Sequence, residues 1–237
     1  MTSVENLWVY LHETPLLWLT VTLAAYTIAD GISVLARRHP ISNPIIMATG
    51  LIVAALVVTG TDYKTYFSGA QFVHFILGPA TVALAIPLVD NFKQIRRAAI
   101  PITLALVAGS ATAIITAVGT AWLLGAPHEL LMSLAPKSVT TPIAMGLSET
   151  LGGLPSLTAV LVVTTGIFGA IAVTPLMNVL KITDPAARGF AVGLASHGMG
   201  TARAFQANVL AGSFAGLAMG LNGLMTALLV PLLTLLF

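Results

Sequence analysis

The sequence is poor in charge and has no cysteine. Its 237 residues include ten Lys and Arg and eight Asp and Glu, so charged residues make up 8% of the chain. Since a water-soluble domain carries about 25% charged residues, most of this surface must face something other than water. The missing cysteines exclude disulfides and thiolate metal sites. A net charge of +2 without a basic tract gives no sign of nucleic-acid binding.

Long apolar stretches fill most of the chain instead, and 57% of its residues are hydrophobic. About 20 apolar residues are needed to cross a hydrocarbon core about 30 Å thick. We therefore predict spanning helices in these stretches: 16–36, 44–60, 71–90, 99–124, 157–179 and 207–237. The last is long enough for one tilted or interrupted helix, or for two short ones. The segments 60–69 and 90–99 are predicted as loops. The first stretch lacks the flanks of a signal peptide, so we expect it to be retained.

Basic residues concentrate in the loops that follow the first and third stretches, at Arg37, Arg38, Lys93, Arg96 and Arg97. By the positive-inside rule these loops are cytoplasmic and the N-terminus lies outside.

Lys181 and Arg188 place the end of 157–179 on the cytoplasmic side as well. An odd number of crossings must then separate residue 125, outside, from residue 181, and 157–179 supplies one. We therefore predict that 131–152 enters and leaves on the outer side as a broken or re-entrant segment. By the same logic 189–206 is its counterpart from the cytoplasmic side.

The first broken segment contains "PKSVTTPIA" at 136–144. Its two prolines interrupt a helix and free backbone carbonyls. Nearby hydroxyls can satisfy the freed groups or cap a helix that restarts at Pro142; they belong to Ser138, Thr140 and Thr141. Lys137 adds a cation that costs about 2.5–3.5 kcal/mol at a bilayer centre. It either binds an anion or snorkels to the interface from a shallow hairpin.

The second broken segment, "SHGMGTARA" at 196–204, repeats the pattern. Its glycines loosen the helix and its polar side chains supply donors; the candidate residues are Ser196, His197, Gly198, Gly200, Thr201 and Arg203. Two such breaks are typical of inverted-repeat transporters, in which half-helix N-termini face an anionic substrate. An arginine fork matches a carboxylate bidentately. Two alternatives stay open: Arg203 could pair with Glu149 or Asp90, and His197 could be a packing residue.

Four motifs in order resemble the LrgB/CidB family of bacterial membrane proteins: "HFILGPATVALAIPLVDN" at 74–91, "PKSVTTPIA", "GGLPSLTAVLVVTTGIFGA" at 152–170 and "GLASHGMGTARAF" at 193–205. The resemblance implies one of two functions. One is a holin-like role in controlling murein hydrolase activity and lysis, with an LrgA/CidA-type membrane partner. The other is carboxylate transport, because the chloroplast relative exchanges glycolate and glycerate and bacterial members are linked to pyruvate uptake.

Together these observations predict an all-α, polytopic integral membrane protein in the bacterial inner membrane. We expect a single transmembrane domain, 1–237, with a first repeat at 1–130 and a second, containing both broken segments, at 131–237. The favoured function is an alternating-access carrier for a small monocarboxylate, with Lys137 and Arg203 as anchors. We expect a homodimer by analogy with other carriers. The sequence shows no catalytic motif, so we expect no enzymatic activity, metal or cofactor.

Overall fold

The computed structural model describes residues 15–39, 42–83 and 85–233. Regular structure in these ranges is entirely helical. The helices are α1 Pro15–Leu35, α2 Pro44–Thr59, α3 Tyr63–Ala83, α4 Ala85–Asp90, α5 Phe92–Arg97, α6 Ala99–Leu123, α7 His128–Leu134, α8 Thr141–Thr150, α9 Pro155–Val179, α10 Pro185–Ala207 and α11 Val209–Leu233. The predicted position of the N-terminus concerns residues outside these ranges.

Four of these helices, α1, α6, α9 and α11, are long and apolar enough to cross a membrane. Helix α2 is apolar but has only 16 residues. The all-α, multi-pass prediction is therefore confirmed. The last predicted stretch forms one helix that runs without a break over its described residues.

The prediction of loops at 60–69 and 90–99 was wrong, because both segments contain helical residues. Helix α3 begins at Tyr63, about two turns before the predicted stretch at 71–90, and the basic segment before α6 contains the short helix α5. The first error arose because the early turns of α3 carry polar residues that lower their hydropathy. Packing stabilises these turns instead, since the ring of Tyr66 contacts that of Trp18 edge-on, with 5.9 Å between the ring centroids. A Cβ on Gly69 would lie 2.2 Å from the carbonyl oxygen of Pro15, so only glycine fits there.

The chain divides into two compact units, Met1–Ala83 and Leu84–Phe237. Helices α1, α2 and α3 belong to the first unit. An ion pair between Arg38 and Asp30 lies at the end of α1. The predicted repeats at 1–130 and 131–237 stay a prediction. The second unit contains both broken segments.

Three long helices form the frame of the second unit. Helices α6 and α11 run parallel, since Ile102 and Phe214, each near the beginning of its helix, share one buried cluster. Helix α9 runs the opposite way, because Val173 near its end packs against the cluster that contains Ala211 near the start of α11. We call the end where α6 and α11 begin the basic end; the basic residues in its connecting segments and at the start of α10 are Lys93, Arg96, Arg97, Lys181 and Arg188. The opposite end is the far end.

Helices α7 and α8 form a hairpin that enters from the far end. Helix α7 folds back on α6, and its Leu131 clusters with Val118 near the end of α6. Helix α8 returns to the beginning of α9, where the hydroxyl groups of Thr158 and Ser148 form a hydrogen bond of 2.7 Å. We call this pair the first hairpin and its turn, residues 135–140, the first tip. The predicted break in 131–152 is confirmed.

Helix α10 is a second hairpin that enters from the basic end. Its backbone leaves helical geometry at Ser196 (φ −132°, ψ 18°) and at His197 (φ 41°, ψ −132°). The second half folds back on the first, because a Cβ on Gly200 would lie 2.4 Å from the carbonyl oxygen of Val192. Ser196 and His197 form the second tip. The predicted break in 189–206 is therefore confirmed as well.

Candidate functional site

The two hairpin tips are joined by one side chain of α11. Nδ2 of Asn222 donates to the carbonyl oxygen of Ser138 in the first tip (3.3 Å) and to that of Leu194 beside the second tip (2.9 Å). Its Oδ1 accepts from the hydroxyls of Ser110 (2.6 Å) and Thr226 (3.3 Å). Broken helices leave carbonyls without helical donors, and the amide of Asn222 supplies donors to both breaks. The tips therefore meet near the midpoint of α11.

A cavity of about 440 Å³ lies where the tips meet α9. We call it the tip cavity; its polar lining residues are Lys137, Ser138, Thr164, Thr165 and Ser196. Its volume is within the roughly 300–1,000 Å³ range of ligand pockets. The described residues that line it include no Asp or Glu, so its formal charge comes from one lysine.

Lys137 brings that charge from the first tip. Its Nζ donates to the hydroxyl of Ser138 at 3.3 Å, which leaves further N–H donors on the ammonium. The snorkelling alternative needs a shallow hairpin. The bond from Asn222 to the carbonyl of Ser138 instead places this tip near the middle of the helical frame. The geometry therefore disfavours the snorkelling alternative.

Ser196 brings an unsatisfied hydroxyl from the second tip. The residue is fully buried, and its Oγ has no hydrogen-bond partner among the described residues. Leaving such a group unpaired costs about 1–3 kcal/mol. Helix α9 approaches so closely that a Cβ on Gly169 would lie 1.6 Å from this oxygen. A ligand in the tip cavity that accepted or donated a hydrogen bond here would remove that cost.

His197 holds the second tip against α9. Its ring Nε2 is 3.0 Å from the carbonyl oxygen of Val162 and is positioned to donate to it. Its Cε1 lies so close to Gly166 that a Cβ there would be 2.8 Å away. His197 does not line the tip cavity. These contacts favour the packing alternative for this residue.

Five other predicted residues lie in or beside the tips without lining the cavity: Thr140, Thr141, Gly198, Gly200 and Thr201. Thr140 occupies the N-cap position of α8, but its side chain makes no capping hydrogen bond. The hydroxyl of Thr201 donates to the carbonyl of His197 at 2.9 Å, which reinforces the turn. Gly198 is exposed, whereas Gly200 lies at the contact between the two halves of α10. Their positions indicate a role in shaping the tips.

Arg203 lies in a different place from Lys137. It lines a second cavity, of about 230 Å³, together with Arg188, and we call this the arginine cavity. Because α10 folds back on itself, both arginines lie near the base of the second hairpin at the basic end. The structure therefore does not bring the two predicted anchors, Lys137 and Arg203, to one point.

A family model described as the LrgB-like family matches residues 22–236. The chain belongs to the LrgB-like family. The match covers α2 to α11 completely and most of α1. Both hairpins and the tip cavity therefore lie within the matched residues of this LrgB-like protein.

Individual relatives match over most of their length. The LrgB-like chain is 35% identical to YxaC of Bacillus subtilis, over 92% of this chain and 94% of that protein. It is 30% identical to the holin-like protein CidB of Staphylococcus epidermidis, over 96% of this chain and 98% of that protein. No solved structure matches the chain.

The sequence analysis missed the residues that join the site together. Asn222 is the only amide residue in α11, and Ser110 is one of several hydroxyl residues in α6, so no motif marks them. A signal was nonetheless present, because a lone amide in the middle of a spanning helix needs a partner inside the protein. Thr158 is a similar case: its hydroxyl donates to the carbonyl of Ser133 at 3.1 Å and joins α9 to the first hairpin.

Proposed function

We propose that this LrgB-like protein is a carrier for small monocarboxylates of the 2-hydroxy or 2-oxo type, such as glycolate, glycerate or pyruvate. It works by alternating access in the bacterial cytoplasmic membrane. The observation that carries the proposal is the tip cavity, where a cation from one hairpin and an unpaired buried hydroxyl from the other line the same space.

The chemistry of the cavity suits one carboxylate with a neighbouring oxygen. The ammonium of Lys137 pairs with the carboxylate, and its single charge matches a monoanion. The hydroxyls of Ser138 and Ser196 bond the adjacent hydroxyl or oxo group. Helix α8 and the second half of α10 both begin at the tips, so the backbone N–H groups of their first turns can donate to the anion.

The hairpins suit alternating access because they enter from opposite ends of the same frame. The first hairpin reaches the tip cavity from the far end, and the second reaches it from the basic end. Displacing one hairpin opens the site to one side of the membrane while the other stays closed. The basic end faces the cytoplasm by the positive-inside rule.

The assembly is part of the proposal. A carrier that moves one element against another needs an anchored scaffold, and a homodimer would supply it. A small LrgA/CidA-type membrane protein is the other proposed partner, on the strength of the family resemblance.

A holin-like function is the second candidate, and the similarity to CidB favours it. A holin forms a lesion that passes unrelated solutes, so it does not need a cation and hydroxyls at a defined point. The two functions therefore differ in selectivity and in saturation.

Counterflow into proteoliposomes tests the proposal. Vesicles preloaded with unlabelled glycolate are given labelled glycolate, glycerate, pyruvate or lactate, and uptake is compared for the wild type, Lys137→Met and Lys181→Met. Lys181→Met is the matched control, because Lys181 is exposed at the end of α9 and outside the tip cavity. We expect saturable counterflow that Lys137→Met abolishes and Lys181→Met retains.

Two results would overturn the carrier proposal. Leak of an unrelated dye without counterflow of any of the four acids would favour the holin-like function. Undiminished counterflow by Lys137→Met would remove the tip cavity as the site of the carboxylate.

A further inference from the structure

Another cavity, of about 590 Å³, lies between α6 and the first half of α10, and we call it the lateral groove. Small residues line its two walls: Pro101, Ala105 and Gly109 on α6, and Ala187 and Ala191 on α10. Phe190, Leu194 and Phe214 form its buried floor. Pro101, Ala105 and Ala187 are exposed, so the groove opens sideways. Because α6 is one of the helices that can cross a membrane, the opening faces the bilayer.

The lateral groove runs from the basic end to the middle of the bilayer. Along α6 it extends from Ala98 to Gly109, which is about 16 Å at the rise of an α-helix. Half of a hydrocarbon core measures about 15 Å. On α10 the groove ends at Leu194, whose carbonyl accepts a hydrogen bond from Asn222 near the middle of α11. The groove therefore has the length of the hydrocarbon part of one leaflet.

The width of the groove suits an acyl chain better than a helix. Its volume and length give a mean cross-section of about 36 Å². A helix with its side chains is about 10–12 Å across and needs at least about 80 Å², whereas an extended acyl chain is much slimmer. An unfilled groove would leave the atoms of its apolar lining without contacts. The acyl chains of the surrounding leaflet are therefore the occupant that fits.

Charged groups of both signs lie at the basic end of the groove. Asp184 lines it and is exposed, and its Oδ1 accepts from the backbone N–H groups of Ala186 (2.7 Å) and Ala187 (3.4 Å). Both bonds use the same oxygen, so Oδ2 is left as an acceptor. Arg97 is exposed and directly precedes Ala98, which lines the groove. A headgroup with a phosphate and a terminal amine is complementary to this pair of charges.

We propose that the lateral groove binds one acyl chain of a phospholipid whose headgroup ends in a primary amine, as in phosphatidylethanolamine. The chain lies between α6 and the second hairpin, the phosphate contacts Arg97 and the ammonium contacts Asp184. A primary ammonium donates hydrogen bonds to a carboxylate, whereas the trimethylammonium of phosphatidylcholine has no N–H donor. The site is separate from the tip cavity and goes beyond the carrier function.

Photo-cross-linking tests the site without any assay of transport. The full chain is placed in phosphatidylcholine nanodiscs that contain a minor share of phosphatidylethanolamine with a diazirine at the end of one acyl chain. The cross-linked residues are mapped by proteolysis and mass spectrometry. We expect labelling at the inner end of the groove, around Gly109 and Leu194. A phosphatidylcholine with the same diazirine should label these residues about threefold less, which is the effect of losing one exposed ion pair.

Variants test the groove and the headgroup separately. Ala105→Phe fills the groove and should abolish this labelling, whereas Ala108→Phe, at an exposed position of α6 outside the groove, should leave it unchanged. Asp184→Asn keeps a capping acceptor but removes the charge, so the preference for phosphatidylethanolamine should vanish. Asp90→Asn, at the end of α4 and outside the groove, should keep the preference. The thermal midpoint of each variant checks its folding.

Three results would contradict the lipid site: no labelling of the groove in the wild type, normal labelling of well-folded Ala105→Phe, or equal labelling by the two lipids. A second copy of the chain is the competing occupant. If Ala105→Cys forms a disulfide-linked dimer in the membrane and the groove takes no lipid label, that copy fills the groove and the proposal is overturned. The carrier proposal stands or falls separately, on counterflow.

Discussion

Asn222 donates a hydrogen bond of 2.9 Å to the backbone carbonyl of Leu194, and the same nitrogen donates to Ser138 at 3.3 Å. Leu194 belongs to the hairpin that enters from the basic end, and Ser138 to the hairpin that enters from the far end. A single side chain thus supplies donors to both breaks.

Replacing Asn222 by Leu should lower the free energy of unfolding by at least about 2 kcal/mol, because it leaves buried carbonyls of both tips and the hydroxyl of Ser110 without this partner. Asn222→Asp keeps the acceptor for Ser110 but loses the amide donors, so it should also destabilise. Denaturant titration of the purified protein measures the change. Leu224→Ala, at an exposed position of α11, is the control. Equal stability of Asn222→Leu and the wild type would show that the amide does not hold the tips.

Ser196→Ala should stabilise the ligand-free protein but weaken binding of the carboxylate. Removing the unpaired hydroxyl should raise the free energy of unfolding of the ligand-free protein by about 1 kcal/mol. The same change should raise the KM for carboxylate counterflow about tenfold, because the ligand loses a hydrogen bond. Ser156→Ala, at an exposed serine of α9, should change neither quantity. A loss of stability in Ser196→Ala would contradict the orphaned state of this hydroxyl.

Gly169→Ala should displace the second tip. The new methyl group would lie 1.6 Å from Oγ and 2.8 Å from Cβ of Ser196, and such overpacking costs about 1–3 kcal/mol. Adding Ser196→Gly should restore stability, because the nearest remaining atom of that residue would be its Cα at 3.9 Å. Gly220→Ala is the control, since no other group lies within 4 Å of a Cβ there. Thermal unfolding of the three variants measures these changes, and equal stability of Gly169→Ala and Gly220→Ala would contradict the close contact.

Cysteine labelling can test the direction from which each hairpin enters. The native chain has no cysteine, so a single introduced thiol reacts without background. In intact cells a membrane-impermeant maleimide should label Glu129→Cys at the base of the first hairpin. It should label Lys181→Cys, at the basic end, only after permeabilisation. Labelling of both positions in intact cells would show that the two ends do not lie on opposite sides of the membrane.

The spans and the breaks could be predicted from the sequence because their causes are local. Apolar length determines a spanning helix, as in α6 and α9, and prolines or glycines with hydroxyls mark a break. Charge counting then assigned the two hairpins to opposite ends. The early turns of α3 were missed because the contact of Tyr66 with Trp18, and not hydropathy, accounts for their packing.

The composition of the candidate site could be predicted only in part. Lys137, Ser138 and Ser196 were identified because they lie in the broken segments themselves. Sequence spacing could not show that Arg203 folds back to the level of Arg188, since that depends on where the turn of α10 falls. Asn222 reaches both tips because it lies near the middle of α11, and no sequence motif marks that position.

The shared donor at Asn222 also contributes one part of the energy needed to move either tip. Withdrawing one hairpin from the centre of the protein breaks one of two hydrogen bonds made by the same nitrogen, and that bond contributes roughly 0.5–1.5 kcal/mol net. The remaining bond keeps the other hairpin fastened to α11. Each of the two hydrogen bonds is weak enough to break by thermal motion while the other stays formed. Either hairpin can therefore part from Asn222 independently of the other.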